Sequence, residues 1–314
     1  MPYPYYIETI NERAVSDPKG FALECEAIFN RKVDETAATI AERAEISRVV
    51  FLSGPSGSGK TTTAKKICDS LEGIGVHAHT VSMDKYFITQ GFDVSPKTGD
   101  GEIDYESPLC LDVKLLTDHF TRLERGEEVI IPHFNFKLQA RDPDRGEALM
   151  LRKGEVVVFE GIHALNDMLT NEHPNAFKLY ISARSDIMSG GEICFKRTWT
   201  RLLRRAVRDG LFRGTGAADT IRMWANVRRG EKEYISPFKY KADLLFDSSM
   251  QYEVAVMKQF FAHAALSDIP EGTEREDELR GLLPALMGFE DIDPSCVPGD
   301  SILREFIGGG EYEY

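Results

Sequence analysis

Val49-Val50-Phe51-Leu52-Ser53-Gly54-Pro55-Ser56-Gly57-Ser58-Gly59-Lys60-Thr61-Thr62 decides how the rest of this chain is read. Four consecutive apolar residues ending in Ser-Gly predict a strand buried on both faces, as in a parallel sheet. The eight residues that follow match G-x-x-x-x-G-K-[ST] at every fixed position. Glycines in that pattern let backbone N–H groups turn inward around phosphate oxygens. A helix beginning near Gly59 adds the partial positive charge of its N-terminus. Gly54, Ser56, Gly57, Ser58 and Gly59 then form a cradle, with Thr62 adding a contact. Lys60 reaches the β- and γ-phosphates of a nucleotide, and the Thr61 hydroxyl is placed to ligate Mg²⁺. A Gly/Ser-rich loop that matched by chance would have neither the strand before it nor the helix after it.

Outward from this loop the chain alternates strands and helices. Residues 20–45 have apolar positions at helical spacing. Strands are predicted at 77–83, 128–131, 155–159, 177–181 and 242–247, and helices at 111–125, 195–209, 219–234 and 252–263. That rhythm predicts an α/β fold, a parallel sheet with helices on both faces. Residues 89–108 read as a polar substrate-side loop, 132–152 as an irregular section punctuated by Pro143 and Gly146, and 267–278 as an acidic linker. Two short helical pieces and Gly308-Gly309-Gly310 close the chain.

Two carboxylates follow predicted strands. Asp84, in Ser82-Met83-Asp84-Lys85-Tyr86-Phe87, sits where ligands of such sheets bind, beyond the strand's carboxyl end. It is a candidate for taking a proton from an acceptor hydroxyl; a turn or N-cap aspartate is the alternative. Glu160, in Phe159-Glu160-Gly161-Ile162-His163, ends an apolar strand and is a candidate to hold Mg²⁺ with Thr61. His163 is a weaker substrate candidate, since a packing histidine reads the same way.

The 314 residues carry a formal charge of −13, which disfavours nucleic acid or an anionic membrane as a general partner. Seven Lys or Arg residues nevertheless fall between Lys196 and Arg213, with Asp209 the one acid among them. Arg201, Arg205 and Arg208 share a helical face, with Arg204 beside them and Leu202, Leu203, Ala206 and Val207 opposite. This pattern predicts a helical lid over a triphosphate, with Gly210, Gly214 and Gly216 as hinges; a solvated helix face is the bland alternative. No run is long enough to cross a bilayer and the N-terminus has no signal-peptide pattern. Five scattered cysteines point to reduced thiols in the cytoplasm.

Together these blocks resemble the uridine kinase and phosphoribulokinase group of P-loop kinases. Ile103-Asp104-Tyr105-Glu106-Ser107-Pro108 resembles the group's substrate loop. Pro132-His133-Phe134-Asn135-Phe136-Lys137, Val227-Arg228-Arg229-Gly230-Glu231 and Ser301-Ile302-Leu303-Arg304-Glu305-Phe306 are similar to a bacterial uridine kinase-like branch. The resemblance implies a P-loop NTPase-type sheet plus a helical lid, ATP and Mg²⁺, and a small-molecule acceptor. Asp84 would be the base, Lys60, Arg201 and Arg205 would act in transfer, and Arg204 and Arg208 would contact ATP. Tyr86, Asp104, Glu106, Phe134, Gln139, Arg141 and His163 would face the acceptor. Related kinases are often oligomeric, which makes a homo-oligomer an expectation of the resemblance. The expected parts are an N-terminal helical segment (1–47), a kinase domain (48–265, lid about 195–235) and a C-terminal helical appendage (266–314).

The chain departs from the group's pattern at named places. Phe134-Asn135-Phe136 stands where uridine–cytidine kinases have Tyr-Asp-Phe, Gln139 falls near their histidine, Lys85 replaces a second acid, and Trp199 replaces an Asp. Three readings follow: a nucleoside kinase, a sugar or sugar-phosphate kinase using Lys97, Lys137, Arg141 or Arg145, and a non-catalytic ATP-binding regulator.

Overall fold

A computed structural model of the chain describes residues 4–89, 95–99, 101–262 and 276–313. A short strand, β1 (Tyr5–Tyr6), runs straight into α1 (Ile7–Ser16). Asp17 separates α1 from α2 (Pro18–Arg43): its carboxylate accepts the Gly20 N–H at 2.9 Å, and Pro18 takes the helix's first turn, where a missing N–H costs nothing. Then come β2 (Val49–Ser53), α3 (Lys60–Gly73) and β3 (Ala78–Ser82). After the loop follow α4 (Val113–Glu124), β4 (Val129–Asn135), β5 (Ala140–Leu149), β6 (Val156–Glu160), α5 (Asp167–Thr170) and β7 (Phe177–Ser182). A small hairpin, β8 (Ile187–Ser189) and β9 (Glu192–Phe195), leads to α6 (Arg197–Phe212) and α7 (Ala217–Gly230). The chain closes with β10 (Leu244–Asp247), α8 (Glu253–Ala262), α9 (Glu276–Met287) and α10 (Arg304–Ile307).

Five strands form one all-parallel sheet in the order β10-β7-β2-β6-β3. Because side chains alternate along a strand, the apolar run of β2 feeds both faces. Val50 and Leu52 pack with Val158, Leu179 and Ile181 against α2, α3, α6 and α8. Val49 and Phe51 pack with Val157 and Phe159 against Leu116 and Phe120 of α4 and Leu169 of α5. The expected α/β sheet with helices on both faces is therefore present. With β2, β6 and β3 adjacent and parallel, the phosphate loop, Glu160 and Asp84 all emerge at one end of the sheet.

Several elements differ from expectation. The section 132–152 is a regular antiparallel hairpin, β4–β5. Pairing jumps from Pro132↔Gly146 to His133↔Asp142, so residues 143–145 bulge out, and Pro143, which has no N–H to offer a ladder, sits in that bulge. Gly146 is needed for close approach, since a Cβ there would lie 2.5 Å from the Ile130 side chain. The expected helix at 219–234 ends at Gly230 and continues as a wider turn, Glu231–Ile235. Helix α6 passes through Gly210, and the break falls after Phe212. The three-stranded sheet β1-β8-β9 was unforeseen, while α1 falls within the helical segment expected over 1–47.

The terminal segments join the sheet's own core. Ile10, Phe21 and Phe29 from the N-terminal side, and Leu286, Phe289, Ile302 and Phe306 from the C-terminal side, share one cluster with Val50, Ile67 and Leu203. Gly308 and Gly309 hold φ of 79° and 68°, and a Cβ on Gly308 would stand 2.7 Å from the Phe212 ring at the end of α6. The glycine run thus closes the C-terminal segment against the arginine helix. Of the acidic stretch 267–278, residues up to 275 lie outside the described residues, as do 90–94 and 100 of the substrate-side loop. Among the described residues no helix is long and apolar enough to cross a membrane.

Candidate active site

The loop between β2 and α3 turns on two glycines in the left-handed region, Gly57 at φ 73° and Gly59 at φ 80°. Nor is there room for a side chain: a Cβ would stand 2.1 Å from the Ile181 carbonyl at Gly54, 2.7 Å from the Arg201 carbonyl at Gly57 and 2.1 Å from Ile302 at Gly59. The first turn of α3 leaves the Lys60 and Thr61 N–H groups without helical acceptors, which is the ready-made anion site of a helix start. Lys60 donates to the Pro55 carbonyl at 3.2 Å. Burial pulls its pKa down, while Glu160, Asp84 and Glu305 pull it back.

Glu160 ends β6, and the Thr61 hydroxyl donates to its Oε1 at 3.4 Å. Burial and the neighbouring Asp84 push Glu160 up to about 7. Two oxygens sharing an Mg²⁺ at 2.0–2.1 Å in adjacent octahedral positions stand roughly 2.9 Å apart. The Thr61 hydroxyl and the Glu160 carboxylate, with the charge of Asp84 near enough to raise Glu160, are oxygen donors of the kind such an ion takes. Asp84 follows β3 in a tight turn whose N–H donates to Ser82 Oγ at 3.4 Å. Its carboxyl opens to the cleft, yet surrounding protein raises its pKa by desolvation, against the pull of Lys60, Arg213 and Arg208.

The arginines of α6 divide by depth. Arg205 Nη1 donates to Ser56 Oγ at 2.9 Å, and Arg201 Nη1 to the Ser56 carbonyl at 3.2 Å. Arg201 also pairs with Glu231 at 2.8 Å. Asp209, the single acid of the basic stretch, collects Arg205 at 3.3 Å, Arg208 at 2.9 Å and Arg213 at 3.7 Å. Arg204 differs from its expected role. It is fully buried, bidentate on Glu253 at 2.6 and 3.0 Å, and donates to the carbonyls of Gly57 at 3.2 Å and Ser248 at 2.7 Å. Its Nε, Nη1 and Nη2 are all engaged by Glu253, Gly57 and Ser248, so it braces the cradle. Thr62 is also engaged: its N–H and hydroxyl both donate to Glu305 Oε2, at 3.3 and 2.7 Å.

On the acceptor side several expected contacts are taken up by the protein. Tyr86 is buried, its hydroxyl 2.9 Å from His119 Nδ1, which makes it a core residue. Arg141 donates to Asp112 at 2.9 Å and to the Tyr86 carbonyl at 3.1 Å, tying the hairpin to the Asp84 turn. Asp104 accepts from Arg229 at 2.8 Å and from the Tyr234 hydroxyl at 3.0 Å. Gln139, exposed at the hairpin tip with φ 50°, donates back to the Phe136 carbonyl at 2.7 Å and serves the turn. His163 is buried and held down at about 4 by desolvation, so it is neutral. Two groups open on this side, Glu106 in part and Phe136, while Phe134 is buried beneath. Glu106 lies near Arg205 and Lys60, pushed up to about 7 by desolvation. Phe134 and Phe136 pack with Phe87, with ring centroids 5.2–6.3 Å apart.

Sequence reasoning missed the partners that fix these groups: Glu231, Glu253, Ser248, Arg229 and Glu305. Glu231 and Arg229 lie in a quoted motif, and Glu305 in another, but neither motif carried a role. Glu253 and Ser248 gave no local signal.

The sequence model of the phosphoribulokinase / uridine kinase family matches residues 49–255. The uridine kinase of Halobacterium salinarum is 24% identical over 232 residues, covering 74% of this chain and 93% of that protein. That of Listeria innocua is 29% identical over 209 residues, covering 66% and 90%. The crystal structure of a kinase from Silicibacter sp. TM1040, ascribed to a fructose transport system, aligns with a TM-score of 0.50 at 20% identity, covering 68% of this chain and 98% of that one. This last likeness is one of fold.

Proposed function

The chain belongs to the phosphoribulokinase / uridine kinase family of P-loop kinases, phosphotransferases to an alcohol group, and from that premise we propose that it phosphorylates the 5′-hydroxyl of a nucleoside such as uridine or cytidine, with ATP as donor and Mg²⁺ held by Thr61 and Glu160. The ion supplies charge neutralisation at the phosphates when bound. Asp84 accepts the proton of the attacking hydroxyl; its raised pKa brings it nearer the working pH, which favours a general base. Lys60, Arg205 and Arg208 place positive charge around the same end of the cleft.

The observation that carries the nucleoside over a phosphorylated sugar is the engagement of Arg141 with Asp112 and the Tyr86 carbonyl. That guanidinium is not open to an acceptor phosphate, and Lys137 and Arg145 lie exposed on the hairpin's tip and bulge. What the acceptor side offers is an aromatic cluster, Phe87, Phe134 and Phe136, beginning three residues after Asp84. Aromatic faces suit a flat base. The test is ATP consumption by the purified protein with Mg²⁺ against nucleosides, free sugars and pentose phosphates. Turnover with uridine or cytidine is expected. Turnover confined to a sugar or sugar phosphate would keep the kinase and discard the nucleoside.

A further inference from the structure

Two histidines and a glutamate converge at the end of the sheet away from the phosphate loop. His77 and His79 stand two residues apart at the start of edge strand β3, so both leave the same face. Glu155 precedes β6, which pairs with β3 in the register Ala78↔Val156, and so lies beside His77. One donor atom from each of the three lies within 4.8 Å of the other two. His79 Nε2 is 3.5 Å from Glu155 Oε2, and two ligands of a tetrahedral ion with 2.0–2.1 Å bonds stand roughly 3.4 Å apart. That nitrogen is shielded from solvent and has no hydrogen-bond partner. Glu72, at the end of α3, pairs with His77 Nδ1 and accepts the Ala78 N–H at 3.0 Å, holding the first imidazole in place.

We propose that His77, His79 and Glu155 bind a divalent ion of the zinc type, with water completing the shell. Two imidazoles and a carboxylate suit zinc, whereas Mg²⁺ requires an octahedral set of oxygens. The ion ties β3 to β6 and to the end of α3, apart from the reacting groups. The test is calorimetric titration of EDTA-stripped protein with Zn²⁺, repeated with His77→Ala, His79→Ala and the double variant. One Zn²⁺ per chain is expected at this site, weakened roughly tenfold or more by either single substitution. Circular dichroism and kinase turnover should stay at wild-type values. Equal Zn²⁺ uptake by wild type and double variant, or none by either, overturns the site.

A separate observation lies on the loop. Glu305 Oε2 accepts both donors of Thr62 in the first turn of α3, while Ile302 covers Gly59 and the Arg204 guanidinium stacks 5.3 Å over Phe306. A carboxylate thus occupies donors that a loop of this kind turns toward a phosphate oxygen. Resting on the ATP-kinase reading above, we infer that Glu305 is a displaceable stand-in for phosphate, so that nucleotide binding must lift it from Thr62. Glu305→Gln and Glu305→Ala are then expected to tighten ADP binding several-fold in calorimetry. In wild type, hydrogen exchange at 301–307 should rise when ADP is added. Unchanged or weaker ADP binding in both variants shows a plain helix cap and overturns the inference. Failure of wild type and variants alike to bind nucleotide overturns the kinase reading itself.

Discussion

The two walls of the cleft are held by opposite means. Behind the phosphate loop, the Arg204–Glu253 pair is wholly buried, and Arg204 reaches the carbonyls of Gly57 and Ser248. Along the acceptor wall, beside the buried Tyr86–His119 contact and the buried Asp104, two ties stand part-exposed: Arg141 to Asp112 at 2.9 Å, and Lys85 to Glu147 at 3.2 Å. In a low-dielectric interior such contacts are strong and rigid, while near water they are worth little. The phosphate wall is therefore preorganised, and the acceptor wall is free to change shape and specificity without loss of the fold.

Breaking the chemistry should have the largest effect. Asp84→Asn is expected to lower turnover roughly 10²–10⁴-fold with ATP affinity nearly unchanged; surviving turnover would move the base elsewhere in the cleft. Next is the buried brace. Arg204→Met leaves Glu253 without its partner and should cost about 3–5 kcal/mol in denaturant unfolding. Adding Glu253→Met should restore much of that stability but not ATP affinity, since the Gly57 carbonyl stays unheld. If affinity returns as well, the brace has no bearing on the loop's shape.

The acceptor wall should respond more gently. Glu106 is raised from its ordinary value to about 7. A carboxyl raised on folding favours the native state at low pH, and that benefit is lost as pH climbs from about 4.5 through 7. The melting temperature of the wild type should therefore fall by a few degrees between pH 5 and 7.5 relative to Glu106→Gln; parallel profiles would place Glu106 in water. Smallest of all, Gln139→Gly relieves a positive φ and should raise stability by up to about 1 kcal/mol. An accompanying change in acceptor KM would show that Gln139 touches the substrate as well as the turn.

The same contrast explains what could be read in advance. Gly54–Thr61 works through its own backbone, so the motif, its strand and its helix are local in sequence and legible. Thr62 and Arg204 sit in legible motifs, but their partners lie 243 and 49 residues away, and nothing local shows them. Tyr86 and Arg141 were assigned to the acceptor by resemblance, whereas His119 and Asp112 claim them. The β4–β5 hairpin was hidden because Pro143 and Gly146 mark turns in most contexts, and here they mark a bulge. Strand β1 is two residues long and exists only through its pairing with Ile187 and Met188.

Ile302 and Glu305 close over a loop made some 243 residues earlier. At about 5–20 residues per second of synthesis, that gap is roughly 12–50 s. Through that interval the nascent chain carries a complete phosphate-binding motif with its covering segment still unmade. The nucleotide end of the site is thus translated well before the segment that finishes it, and a ribosome stalled before Ser301 would leave a chain with its cradle uncovered.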